Sequence, residues 1–164
     1  FILWVHQFAM PTRVSGRILS TLQGAKSEDQ VPAEFSAELD FADGSTASFY
    51  CSFLTENQQW VHVSGTKGYT RLDDFVLPFF GSEVAYEVSQ PFFNVQGCSF
   101  HMQQHTTRQS VREYDSGFSP AQEINMFETF QKIVETKQLD PAWGDICLKT
   151  QQVMNQLLQS ATRL

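Results

Sequence analysis

At 164 residues, 41% hydrophobic and 13% aromatic, the chain is long enough to form one domain with a sizeable core. Its net charge of −7, with few and scattered Lys and Arg, excludes the basic patches that displace counterions from nucleic acid. No apolar run is long enough to span a bilayer and no signal-peptide pattern opens the sequence, so neither nucleic acid nor membrane is expected as a partner.

The opening residues, Phe1 to Phe8, are strongly apolar and predict the last turns of a helix, ended by Met10-Pro11. No cap precedes this helix and the sequence does not open on Met, so it reads as part of a longer protein. Arg13 to Gln23 predicts a first strand, with Val14, Ile18 and Leu22 as its apolar points. Gly24 to Val31 reads as a charged loop.

Ala33 to Pro78 predicts an antiparallel meander. Phe35, Ala37, Leu39 and Phe41 alternate with Glu34, Ser36, Glu38 and Asp40, the period of a half-buried strand. Asp43-Gly44 marks a tight turn, because such turns need positive φ and glycine adopts it freely. Ala47, Phe49, Cys51 and Phe53 continue the alternation. A second hairpin joins Trp60–Ser64 to Tyr69–Phe75 through Gly65-Thr66-Lys67-Gly68. One face of the meander is apolar. The other mixes Tyr50, Trp60 or Val61, Tyr69 and Phe75 with polar neighbours, as a surface that meets another subunit would.

Val84, Tyr86 and Val88 predict a further strand. Pro91 to Gln109 reads as a long loop, or an edge strand near Phe100 to His105, with a final strand from Gln109 to Tyr114. Ser119-Pro120 and Asp140-Pro141 are helix-start signals, each a capping residue followed by proline at the first helical position. The two helices they open carry Ile124, Phe127, Phe130, Ile133 and Val134, then Ile146, Thr150, Val153, Leu157 and Ala161, at helical spacing. Strands first and helices last predict an α+β fold: an open, predominantly antiparallel sheet with helices packed on one face.

The three cysteines, Cys51, Cys98 and Cys147, form no C-x-x-C pair and are expected to be buried, reduced thiols. Reduced thiols suit the cytoplasm. No metal site is expected: His101 and His105 are four apart but fall in loop or strand, without the H-E-x-x-H pattern. Asp73 and Asp74 point to opposite sides of a strand and cannot share a proton. His62 is expected on a sheet surface and Lys67 in an exposed turn. His101, His105 and Arg108 are the candidate ligand-contacting residues, Arg108 and Arg112 supplying positive charge. No nucleophile constellation, G-x-S-x-G or Walker sequence is present.

Several segments resemble, in order, the C-terminal domain of the glucose-fructose oxidoreductase / inositol dehydrogenase / MocA family. They are Ile2-Leu3-Trp4, Met10-Pro11-Thr12-Arg13-Val14, Phe41-Ala42-Asp43-Gly44-Ser45-Thr46-Ala47, Tyr50-Cys51-Ser52-Phe53, Val63-Ser64-Gly65-Thr66-Lys67-Gly68 and Asp74-Phe75-Val76-Leu77-Pro78. Met126-Phe127-Glu128-Thr129-Phe130 and Trp143 with Lys149-Thr150-Gln151 follow near the end. The resemblance implies an N-terminal Rossmann domain that binds NAD or NADP, with this domain lining the cleft for a carbohydrate-like or other alcohol/carbonyl substrate. It also implies a homo-oligomer, a dimer, formed through the sheet face. The sequence lacks the family's G-x-G-x-x-G and Glu-Lys-Pro motifs; Lys26, Lys67, Lys132, Lys137 and Lys149 all lie in other contexts. The family's Asp and His (or Tyr) pair would lie upstream of Ile2, and His6 does not match it. No catalytic residue is therefore carried over, and the stretch is expected to bind no dinucleotide and to be inactive alone. The alternative is a self-standing binding or scaffold module of the same fold.

Overall fold

A computed structural model describes residues 1–26, 28–76, 83–112 and 122–163. The elements in chain order begin with a short helix α1 (Ile2–Val5), followed by strands β1 (Arg13–Gln23), β2 (Gln30–Asp40) and β3 (Thr46–Ser52). Then come β4 (Val61–Gly65), β5 (Gly68–Leu72), β6 (Glu83–Ser89), β7 (Phe92–Gln96), β8 (Ser99–Gln103) and β9 (Thr106–Arg112). Helices α2 (Gln122–Thr136) and α3 (Pro141–Ser160) and a short strand β10 (Thr162–Arg163) complete the chain. These open, mostly antiparallel sheets with their helices make the fold α+β.

The chain separates into two compact units, residues 1–56 with 139–164, and residues 57–138. The expected continuous meander is therefore corrected. β3 pairs only with β2, and β4 opens a different sheet, so the run from Ala33 is divided after Ser52.

The first unit is a sheet of order β10-β1-β2-β3. Its register sets Val14 opposite Leu39, Gly16 opposite Ala37 and Ile18 opposite Phe35. Ala47, Phe49 and Cys51 of β3 complete the same face. Side chains directly opposite share a face, so this face is apolar across β1, β2 and β3. Helices α1 and α3 pack on it: Leu3, Val153 and Leu157 join Ala37, Leu39 and Phe41 in one core. Gly16 lets α3 approach, because a Cβ there would lie 2.6 Å from the Leu157 carbonyl oxygen. The Gly16 amide donates to Ser160 Oγ at 3.0 Å, tying the end of α3 to β1. The parallel pairing of β10 with β1 was not expected from the sequence.

Two local expectations change. Helix α1 stops at His6, before Pro11, because Gln7 (φ 53°) and Phe8 (φ 59°) turn left-handed. The Phe8 amide donates to Leu3 O and the Gln7 amide to Trp4 O, the paired bonds of a Schellman cap. That cap turns Phe8 onto the core. The Asp43-Gly44 turn is present, with Gly44 at φ 84°, but the loop is wider than two residues. Phe41 N donates to Ser45 O and Gly44 N to Phe41 O, leaving residues 42–44 as the loop. Phe41 is buried, its ring stacked on His6 at 3.5 Å.

The second unit holds a sheet of order β4-β5-β6-β9 and a separate hairpin, β7-β8. The edge strand expected near Phe100 to His105 is present as β8, while the loop reading of 91–109 is corrected, since β7 and the start of β9 are strands as well. Gly97 (φ 59°) opens a two-residue turn, with Gln96 paired to Ser99, and this lets a polar, aromatic run fold back on itself. The helix-start signal at Ser119-Pro120 and the stretch Leu77-Pro78 lie outside the described residues. Asp140 does cap α3, accepting from the Ala142 amide at 2.9 Å with Pro141 at the helix start. Val153 and Leu157 of its expected stripe are buried. Among the described residues, the buried apolar side chains all belong to the first unit.

Candidate functional site

The cysteines are neither buried nor paired. Cys51, Cys98 and Cys147 are all exposed, correcting the expectation. Cys51 stands on the apolar face but on edge strand β3, Cys98 in the Gly97 turn, and Cys147 on an outward part of α3. Partial desolvation still pushes the Cys51 thiol above its usual pKa, a backbone hydrogen bond with Phe35 opposing the shift. It is therefore a protonated, weakly nucleophilic thiol at neutral pH.

Hydrogen-bonding side chains gather on one face of the β4-β5-β6-β9 sheet. Register places His62, Arg71, Glu87 and Arg108 directly opposite one another across all four strands. The neighbouring row on the same face is Ser64, Tyr69, Ser89 and Thr106. The opposite face carries Val61, Val63, Leu72, Val84, Tyr86 and Val88. The period-2 alternation of each strand produces this division.

Tyr69 is the hub of the polar face. Its ring meets His62 edge-on, centroids 4.9 Å apart, and its hydroxyl accepts from Gln104 Nε2 at 3.0 Å. Ser89, fully buried, shares a 2.9 Å hydrogen bond between its hydroxyl and that of Thr106. Arg71 Nε donates to Asp73 at 2.8 Å, and its pKa is raised by that hydrogen bond and charge, with Glu87 and Tyr69 adding to it. The row alternates charge, so Glu87 between two arginines balances them rather than leaving a bare cationic patch. Such a face offers donors and acceptors side by side, which suits a neutral, hydroxyl-rich ligand better than an anion.

The sequence-predicted residues are only partly brought together. Arg108 lies on β9 within this row. His105 sits in the β8–β9 link, where its carbonyl accepts from the Gln90 amide at 2.9 Å and Nε2 meets Gln103 Oε1 at 3.2 Å. It adjoins Gln104, the partner of Tyr69. His101 belongs instead to the β7-β8 hairpin, opposite Asn94. Among the described residues, no three His, Cys, Asp or Glu side chains are grouped to hold a metal. β5 ends at Leu72, before Asp73 and Asp74, which serve different partners, Arg71 and Gln59. The sequence alone does not single out Tyr69, Glu87 or Arg71. Alternation placed each on a strand, but only the register reveals that they share a row with His62 and Arg108.

The aromatic face expected to join Tyr50, Trp60 or Val61, Tyr69 and Phe75 is divided. Tyr50 belongs to the first sheet, Tyr69 to the polar face of the second and Val61 to its other face. On the first sheet, Tyr50 lies on the polar side, where Glu34 gathers three hydroxyls. Tyr50 donates to Oε1 at 2.6 Å, Ser20 to Oε2 at 2.8 Å and Ser52 to Oε1 at 3.3 Å. These bonds, Tyr50 first, hold the Glu34 carboxyl below its usual pKa. A carboxylate with a depressed folded-state pKa stabilises the fold above its unfolded value, and that contribution is lost as pH falls through the folded value. Glu34→Gln is expected to flatten part of the fall in urea midpoint between neutral pH and the acid range. An unchanged acid slope would show that the hydroxyls do not favour the charged form.

No known protein-family model matches this chain. Among the described residues, no helix is long and apolar enough to cross a membrane.

Proposed function

We propose that this chain is the sheet-bearing, non-catalytic part of an NAD(P)-dependent oxidoreductase of the family it resembles. In this reading it supplies one wall of a substrate cleft, and a sheet surface for a homo-oligomer. The observation that carries the reading is the polar row His62–Arg71–Glu87–Arg108 with Tyr69 beside it. Adjacent donors and acceptors on a rigid sheet suit a polyol or sugar-like alcohol, whose hydroxyls both donate and accept. Hydride transfer would belong to a nicotinamide held by a Rossmann domain, and this chain's residues would orient the alcohol.

The test is to express the complete reading frame that contains this chain and follow polyol-dependent reduction of NAD or NADP. Arg108→Ala is expected to raise KM about tenfold with kcat little changed, because it removes binding common to ground and transition states. A complete frame with no nucleotide-binding domain, or an Arg108→Ala enzyme with unaltered KM, would sink the proposal. The second reading, a self-standing binding module, is favoured by the polar face being built wholly within one compact unit. It expects calorimetric binding of a polyol by the 164-residue chain alone.

A further inference from the structure

We propose that the β7-β8 hairpin is a self-association arm, its apolar face seating on the same face of a second copy of this chain. From Phe93 onward the hairpin alternates. Phe93 opposes Met102 and Val95 opposes Phe100, so these four share one face. Asn94, Gln96, Ser99, His101 and Gln103 lie on the other, with Phe92 at its end. The apolar four are 61%, 74%, 57% and 67% exposed, in the order Phe93, Met102, Val95, Phe100, and the Phe93 and Phe100 rings lie 6.4 Å apart. A lone two-stranded hairpin is marginal in water, so this face gains stability from being covered.

Three observations select a second copy as the cover. First, residues 91–107 contain no Asp, Glu, Lys or Arg, whereas the whole chain carries −7. Two acidic chains meet with least repulsion where neither bears charge, and a charged partner would find nothing there to pair with. Second, among the described residues β7 and β8 pair only with each other, so each keeps one edge unpaired by them. Neither strand carries the proline or charged guard residues that block edge pairing. Third, the exposed apolar side chains present about 500 Å² per copy, so that two copies bury about 1,000 Å², the lower bound for a specific interface. A two-fold arrangement, in which the same patch serves both sides, uses all of it.

The inference needs only the hairpin and shares with the proposed function the homo-oligomer alone, not the cleft or the nicotinamide chemistry. Sedimentation equilibrium of the 164-residue chain tests it. The wild type is expected to dimerise. Phe93→Lys/Met102→Lys and Phe93→Glu/Met102→Glu are each expected to weaken the dimer at least about 30-fold, with unchanged far-UV circular dichroism, since both positions are exposed. Mixing the two variants in equal amounts is expected to restore association through opposite charge. Amide exchange in residues 92–103 is expected to slow as wild-type concentration rises. A wild type that stays monomeric, variants that dimerise normally, a mixture that stays monomeric, or concentration-independent exchange would each overturn the proposal. So would loss of the dimer on Tyr50→Arg, which would move the interface to the first sheet.

Discussion

Gly16→Ala is expected to destabilise the first unit by about 3 kcal/mol, with Gly16→Val worse, because both drive α3 away from β1. The added Cβ would stand 2.6 Å from the Leu157 carbonyl oxygen and 2.7 Å from Phe35 Cζ. The Phe35 ring can rotate. The Leu157 carbonyl is backbone in the last turn of α3, where it accepts from Ser160 Oγ at 2.9 Å, so relief shifts the end of the helix. A displaced α3 exposes Val153 and Leu157, each worth about 1.5–3 kcal/mol when buried. It also stretches the Gly16 amide to Ser160 hydrogen bond. Gly144→Ala is the control. It lies in α3 with nothing near its Cβ position, and should stabilise by up to about 1 kcal/mol through helix propensity. Native-state amide exchange should report faster opening in residues 141–160 for Gly16→Ala and not for Gly144→Ala. Equal protection in both variants would mean that α3 does not depend on the close approach.

Gly68→Ala is expected to cost a similar amount, about 3 kcal/mol, in the second unit. Gly68 has φ 148°, a conformation that residues with a Cβ rarely adopt, and its Cβ would meet the Ser89 carbonyl oxygen at 2.3 Å. Strain and overlap both fall on backbone. Relief requires β5 to part from β6 where Tyr69 pairs with Ser89, and this pulls the hub of the polar face out of place. The two-residue turn Thr66-Lys67, with Lys67 exposed as expected, tolerates change at its other end. Gly65→Ala meets nothing closer than 3.8 Å and should be within about 0.5 kcal/mol of wild type. Loss of amide protection should centre on 68–72 and 83–89. A Gly68→Ala chain as stable as Gly65→Ala would show that the turn relaxes freely. If the polar face binds a polyol, Gly68→Ala should also abolish that binding while leaving the first unit folded.

Local chemistry set much of the fold in advance. Alternation gave β1 its observed span, Arg13 to Gln23, and placed the hairpin around Gly65 and Gly68. The Asp140-Pro141 pair opens α3 because a capping carboxylate and a fixed φ act within one turn of chain. The β7-β8 hairpin was harder to read. Phe92-Phe93 breaks the alternation at its start, and a single glycine marks the turn. The cysteines are exposed where burial was expected, because alternation names a face but not a depth. Cys51 shares the apolar face with buried Ala37 yet stands on edge strand β3, whereas α3 packs mainly on β1.

What the sequence determined by itself is what depends on near neighbours: strand and helix periods, caps, positive-φ turns and the α+β class. Tertiary structure decided which strands pair. Alternation in β3 and β4 is equally regular whether they join one sheet or two, because the period records only which side chains share a face. Hydrogen bonding across strands then divided the run after Ser52 and aligned His62, Arg71, Glu87 and Arg108. Those four residues span 47 positions of chain, and no local rule relates them until three strand pairings set them in one row.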